Sequence, residues 1–156
     1  MLRPMQRITP SLMFNQGAEE AVAFYLSVFP NSSLKYEERW PDGKHLASTF
    51  ELNGVEFLAI SGGPECAFTM ASSYTINCDT QEEIDHYWDK LGEGGETHAC
   101  GWLTDRYGVV WQVQPAWFGE KMKTGTTAQA QAMFGAMMEM VKIDMAALLQ
   151  AYDAAR

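Results

Sequence analysis

Ser11-Leu12-Met13-Phe14 reads as a short strand, whose two-residue period puts Leu12 and Phe14 on one side. Asn15-Gln16-Gly17 turns the chain, and Glu19-Glu20-Ala21-Val22-Ala23-Phe24-Tyr25-Leu26 reads as a helix that ends before Pro30-Asn31. The same order returns later. Tyr74-Thr75-Ile76-Asn77-Cys78 is a strand, Asp79-Thr80 a turn and cap, and Glu82 to Trp88 a helix closing at Gly92. Both helices open on a Glu-Glu pair, where carboxylates favour the positive end of the helix dipole.

A meander follows each helix. In the first copy the strands are Leu34 to Arg39, Leu46 to Leu52 and Val55 to Ile60, with turns at Pro41-Asp42-Gly43 and Asn53-Gly54. Asn-Gly between apolar runs is a strong hairpin signal. In the second copy Glu96 to Leu103 and Val109 to Gln114 flank a turn through Asp105-Arg106-Tyr107-Gly108. The expected fold class is therefore α+β, a single domain over 1–156 with tandem βαβββ modules at about 6–62 and about 67–115. Ser61-Gly62-Gly63-Pro64-Glu65 breaks the chain between them. A helical tail at about 117–156 completes it, with Lys123-Thr124-Gly125-Thr126-Thr127 leading into a helix from Ala128. Met133, Met137 and Met140 share one face of that helix, with Met138 and Leu148 nearby. Two roles fit such a face, a cover for the protein's own core and an interface with a second subunit.

Composition narrows the partners. Eleven Lys and Arg stand against 20 Asp and Glu, a formal net charge of -9, which repels a phosphate backbone or an anionic lipid surface. No nucleic acid and no membrane partner is expected, because no apolar run approaches the roughly 18 residues that span a bilayer. Met1 to Pro10 carries Arg3 and Arg7 without the apolar stretch of a signal peptide, so the expected location is cytoplasmic. The three cysteines, Cys66, Cys78 and Cys100, form no Cys-x-x-Cys pair and are expected as reduced thiols.

Several stretches resemble the vicinal oxygen chelate superfamily, the glyoxalase, bleomycin-resistance and ring-cleaving dioxygenase group. They include Ile8 to Asn15, Glu19 to Tyr25, Phe29-Pro30-Asn31-Ser32, Phe57 to Pro64, Cys78 to Glu83 and Cys100 to Gly108. With Met137 to Asp144 of the tail, they look most like the PhnB-like branch, often labelled 3-demethylubiquinone-9 3-methyltransferase. The resemblance implies paired βαβββ modules whose mixed sheet curls around a cleft, usually in a homodimer. It does not by itself deliver an activity.

In metal-dependent members of that superfamily, His, Glu or Gln side chains at four inward strand positions, two per module, hold a divalent ion. Carried onto this sequence, those positions are Thr9, Leu58, Ser73 and Gln112, or Pro10 for Thr9 if the turn carries an insertion. Leucine has no donor atom, and neutral hydroxyls are weak ligands. No metal and no other cofactor is therefore expected. The histidines add none, since His45, His86 and His98 read as exposed loop or helix residues. His98 and Cys100, two apart on a predicted strand, would share a face.

A cleft without metal keeps Thr9, Ser11, Ser73, Thr75, Asn77, Gln112 and Gln114 on its predicted inner faces, flanked by Trp102 and by Trp111. Neutral hydrogen-bonding groups among aromatics suit a small organic ligand. Glu56 shares parity with Leu58 and reads either as a general base or as an exposed edge-strand carboxylate. Asp105 is expected to bond turn amides and Arg106 to face solvent. Cys100 lacks an adjacent base, so an inert buried thiol is its default. A Rossmann-like S-adenosylmethionine site needs a glycine turn that opens a helix, whereas Gly92-Glu93-Gly94-Gly95 closes one.

Two functions follow from these residues. The first is a metal-free small-molecule binding protein, with ligand-binding candidates Thr9, Ser11, Glu56, Ser73, Thr75, Asn77, Trp102, Gln112 and Gln114 and no assigned catalytic residue. The alternative is an enzyme on a small organic substrate, a methyltransferase or a glyoxalase- or dioxygenase-like lyase or oxidoreductase.

Overall fold

The computed structural model describes residues 6–63 and 65–155. The expectations that touch Arg3, Pro64 and Arg156 lie outside the described residues. Internal contacts divide the chain into two units, Met1–Ala67 and Phe68–Arg156.

The first unit runs β1 (Ser11–Phe14), α1 (Ala18–Val28), β2 (Ser32–Arg39), β3 (His45–Leu52) and β4 (Val55–Ser61). Its sheet order is β1-β4-β3-β2, parallel between β1 and β4 and antiparallel elsewhere. Asn53 and Gly54 sit at φ 48° and 83°, the left-handed pair whose twist matches the flanking strands β3 and β4. Alternation then sorts the side chains. Leu12, Phe14, Phe50, Leu52, Phe57 and Ala59 are buried on one face, while Ala21, Val22, Tyr25 and Val28 form the buried side of α1, which packs against β3 and β4. Phe50 stacks between Tyr25 and Phe57, with ring centroids 6.4 and 5.6 Å away.

His45 departs from the expected exposed loop position. It is the first residue of β3 and only 8% exposed, with Nδ1 2.5 Å from Ser61 Oγ and Nε2 2.7 Å from Ser48 Oγ. Those hydroxyls satisfy both ring nitrogens, which lets the imidazole enter the interior.

The second unit repeats the plan with β5 (Tyr74–Cys78), α2 (Gln81–Gly92), β6 (Glu96–Thr97), β7 (Trp102–Thr104) and β8 (Val110–Pro115). Its order is β5-β8-β7-β6, with β5 and β8 parallel. Thr80 caps α2 by accepting from the Glu83 N–H at 3.2 Å. Ile84, Tyr87, Trp88 and Leu91 of α2 are buried, as are Ile76, Cys78, Leu103, Trp111 and Val113 of the sheet.

Glu96 to Leu103 is not one strand. A single 3₁₀ turn, Ala99–Gly101, divides it, with Cys100 at φ 62° and Gly101 at φ 76°. The cause is tertiary. The Cys100 and Gly101 N–H groups donate to the Met140 and Val141 carbonyls, each at 2.8 Å, and a Cβ on Gly101 would lie 2.6 Å from the Val113 carbonyl oxygen. His98 and Cys100 consequently do not share a strand face.

The tail is also divided, into α3 (Phe118–Thr124), α4 (Thr127–Met138) and α5 (Met145–Ala154). Thr126 and Gln129 form a reciprocal capping box that starts α4. Met140 lies beyond α4, so it does not continue the helical face of Met133 and Met137. Met133 and Met137 are 0% and 7% exposed within this chain, and α4 packs on α5, whose Leu148 is buried. They are core residues, and the expected subunit interface does not run through them. Gln81 of α2 fastens the link before α5, donating to the Ile143 carbonyl at 3.0 Å and accepting from the Met145 N–H at 2.9 Å. Lys142 and Asp85 pair beside it at 2.8 Å.

The turn between β7 and β8 is organised by Asp105, only 3% exposed. Oδ1 accepts from the Tyr107 and Val109 N–H groups at 2.8 and 3.0 Å, and Oδ2 from the Trp111 indole at 2.9 Å. Asp105 thus bonds turn amides as expected, and the exposed Arg106 reaches back to the Glu93 carbonyl at 3.1 Å. Among the described residues no helix is long and apolar enough to cross a membrane.

Two stability measurements check this packing. Asp105→Ala strips a charged acceptor from buried donors and is expected to lower unfolding stability by roughly 3 kcal/mol in urea titration, whereas a loss below about 1 kcal/mol contradicts the assigned role. Met133→Ala is expected to cost about 2 to 5 kcal/mol. Met133→Glu should unfold the chain, and a folded Met133→Glu protein would show that this side chain is not core.

Candidate functional site

The candidate site is built from the parity of β8. Trp111, Val113 and Pro115 are buried on one face, so Gln112 and Gln114 project from the other. Pairing extends this face sideways. Gln112 lies opposite Thr75 of β5 and Trp102 of β7, and Gln114 lies opposite Asn77. Gln112 Nε2 donates to Ser73 Oγ at 2.9 Å, and Gln114 Nε2 donates to Asn77 Oδ1 at 3.2 Å. Ser73, Thr75, Asn77, Trp102, Gln112 and Gln114 are thus brought together on one sheet face.

Most of this face is accessible. Thr75 and Asn77 are exposed, and Ser73, Trp102, Gln112 and Gln114 are half-buried. The Thr75 hydroxyl and the Trp102 indole N–H have no hydrogen-bond partner among the described residues. Two further residues extend the polar face. Thr104 shares Trp102's parity, and its hydroxyl lies 2.9 Å from His98 Nε2. Thr104 was legible from its spacing to Trp102, while His98 reaches it only because the 3₁₀ turn folds the chain back. Trp111 does not flank this face. It points to the opposite side, 2% exposed, because Asp105 holds its indole.

In the first unit, Ser11 of β1 lies opposite Leu58 of β4, and Glu56 shares Leu58's face. Thr9 precedes β1 and is half-buried, its carbonyl accepting from Ser11 Oγ at 3.2 Å. Glu56 is not on an edge strand, because β4 lies between β1 and β3; it stands opposite Glu51. Its backbone is held by Gln6, which accepts from the Glu56 N–H and donates to its carbonyl, both at 3.0 Å.

The positions that carry a divalent ion in the metal-dependent proteins do not fit one here. Leu58 offers no donor atom, and Ser73 Oγ is already engaged by Gln112. Among the described residues no group of three or more His, Cys, Asp or Glu could hold a metal ion. A methyl donor bound on a glycine cradle fits no better. Gly92 to Gly95 closes α2, and a Cβ on Gly95 would lie 2.1 Å from the Thr104 carbonyl oxygen, so the chain's own backbone fills that space.

The three cysteines are free thiols. Burial pushes the Cys78 thiol up to about 12, with Glu83 and Asp79 adding in the same direction. Cys100 is half-buried rather than buried, and its Sγ lies 3.5 Å from the Met138 thioether. Cys66 is exposed, 3.3 Å from Asn15 Oδ1.

Comparison with known proteins places this fold. A PhnB protein from Bacillus cereus is 38% identical, with a TM-score of 0.65 over 69% of this chain and 98% of that one. Protein PA1353 from Pseudomonas aeruginosa, 21% identical, gives a TM-score of 0.62 over 71% of this chain and 98% of that one. A mutant of the fosfomycin resistance protein FosX from Listeria monocytogenes, complexed with Mn(II) and 1S,2S-dihydroxypropylphosphonic acid, shares the fold at 17% identity. Its TM-score is 0.52, over 72% of this chain and 92% of that one. No curated protein matches. The α+β fold of two mixed four-stranded sheets with added helices is thus shared with the glyoxalase-like group that the sequence resembles. The model of the family described as 3-demethylubiquinone-9 3-methyltransferase matches residues 6–114, and the chain belongs to that family.

Proposed function

We propose that this chain is a small-molecule binding protein that works without a metal, its ligand resting on the polar face of β5, β8 and β7. One observation carries the reading, the aligned row Thr75, Gln112 and Trp102 with Asn77 and Gln114 beside it. A flat, partly desolvated surface with spare hydrogen-bonding capacity and one large ring suits recognition of a small organic molecule. For the first unit we propose the same role for Thr9, Ser11 and Glu56 on its own sheet. The poor donor set at Thr9, Leu58, Ser73 and Gln112 supports independence from metal. The protein is proposed to act in the cytoplasm.

A second reading, transfer of a methyl group, is favoured by the family description. Against it stands the filled glycine turn at Gly95. Binding without chemistry is the reading the polar face supports best.

The reading is tested by elemental analysis together with a ligand screen. Protein purified without chelator is expected to hold less than a stoichiometric equivalent of manganese, nickel, zinc or iron, and a full equivalent refutes metal independence. Trp102→Ala is expected to weaken a ligand found by the screen while costing less than the roughly 3 kcal/mol of a fully buried aromatic. Unfolding without a specific binding defect refutes the assignment of Trp102.

We further propose a homodimer, with the exposed tail residues Phe134, Met138 and Val141, 49%, 53% and 52% exposed, as part of its contact. Light scattering at micromolar concentration is expected to give the dimer mass, and a Phe134→Glu, Met138→Glu double variant to give the monomer. A monomeric unmodified protein refutes the dimer.

A further inference from the structure

We propose that the ligand of the β5-β8-β7 face is an uncharged planar molecule bearing both hydrogen-bond donors and acceptors along one edge, such as an aromatic amide, lactam or phenol. The proposal rests on the small-molecule reading above and specifies its chemistry. Trp102 would stack on the ring, while Gln112 and Gln114 would read the edge.

The first argument is charge. The side chains at the paired positions of this face are hydroxyls, carboxamides, Val110 and the Trp102 indole, and the one charged group is the Glu96 carboxylate opposite Thr104. No lysine or arginine occupies a paired position there. A phosphonate or carboxylate would surrender its hydration to a surface without lysine or arginine, whose one imidazole, His98, is already bonded to Thr104, on a chain whose net charge is already -9. The phosphonate held by the FosX protein is therefore a poor model for this face.

The second argument is the inventory of unused groups. Gln112 spends one N–H on Ser73, and Gln114 one on Asn77. Each carboxamide retains a carbonyl oxygen and a further N–H. The Trp102 indole N–H and the Thr75 hydroxyl are also unpartnered among the described residues. Donors and acceptors thus lie side by side in one cross-strand row. An anion, which only accepts, would meet the carbonyl oxygens unfavourably, whereas an amide or phenol edge can satisfy both kinds of group.

The third argument is shape. Side chains two apart on neighbouring strands form a shallow platform, and the half-buried indole adds a ring surface whose preferred partner is another flat π-system.

The test is ligand-observed NMR on the full chain with quinolinone, naphthol and naphthamide as neutral probes, and phenylphosphonate and naphthoate as anionic probes of similar size. A neutral probe is expected to bind, and to lose at least about tenfold in affinity in Trp102→Ala and in Gln112→Leu, as removal of one stacking surface would give. Trp102→Phe keeps a ring and should retain most of the affinity. Thermal melts of all variants separate a binding defect from unfolding. If only the anionic probes bind, with the same dependence on Trp102 and Gln112, the ligand class is overturned and the binding face stands. Probe binding that ignores folded Trp102 and Gln112 variants, or no binding by any probe, overturns both. Should Trp102→Ala fail to fold, the Gln112→Leu and Trp102→Phe results decide.

Discussion

Asp105 is a carboxylate buried in the second unit, and both of its oxygens are occupied. One gathers the amides of Tyr107 and Val109, which fixes the turn, and the other holds the Trp111 indole, which fixes the first interior side chain of β8. Strand side chains alternate, so anchoring Trp111 inward sends Gln112 and Gln114 outward. A shift of one residue at this turn would bury the glutamines against α2 and expose Trp111 and Val113. Few groups combine two accepting oxygens with a reach short enough for this turn, and burial away from water strengthens each contact. The polar face therefore depends on a residue that does not belong to it.

The two units use one plan with different surfaces. Beneath each sheet lies a helix with aromatic and aliphatic residues on its buried side, and each sheet leaves its other face to different chemistry. In the first unit that face carries Leu58 and Glu56, and in the second it carries carboxamides, hydroxyls and an indole. A duplicated fold constrains the buried side through packing and leaves the opposite side to vary, because only the buried side must fit a helix.

What the sequence disclosed was the part governed by neighbours. The two-residue period of β1 and β5, the acidic starts of α1 and α2 and the Asn53-Gly54 hairpin are local, and they appear where expected. The polar face was also readable, since Thr75, Asn77, Gln112 and Gln114 follow from strand parity alone. Parity also sends Trp111 to the face opposite Gln112 and Gln114, so its expected place beside the polar face ran against the alternation of β8 itself. The other departures come from contacts outside the local strand pattern. The break at Cys100 is imposed by Met140 and Val141, and the interior position of His45 by hydroxyls on β3 and β4. Met140 and Val141 are far along the chain from Cys100, and Ser61 lies on a different strand from His45, so no local pattern carries those signals.

The strap from Met140 to Met145 also has an order-of-synthesis consequence. The first unit finds every strand partner within its own stretch of chain, so it can close as soon as β4 has emerged. The second cannot. Its 3₁₀ turn is completed by carbonyls from the strap, and α2 grips the strap through Gln81 and Asp85, so β7 gains its final support only when the tail has been made. During that interval the carboxamide face would be laid out on a sheet whose far side is unfinished, so this polar surface is among the last parts to become rigid.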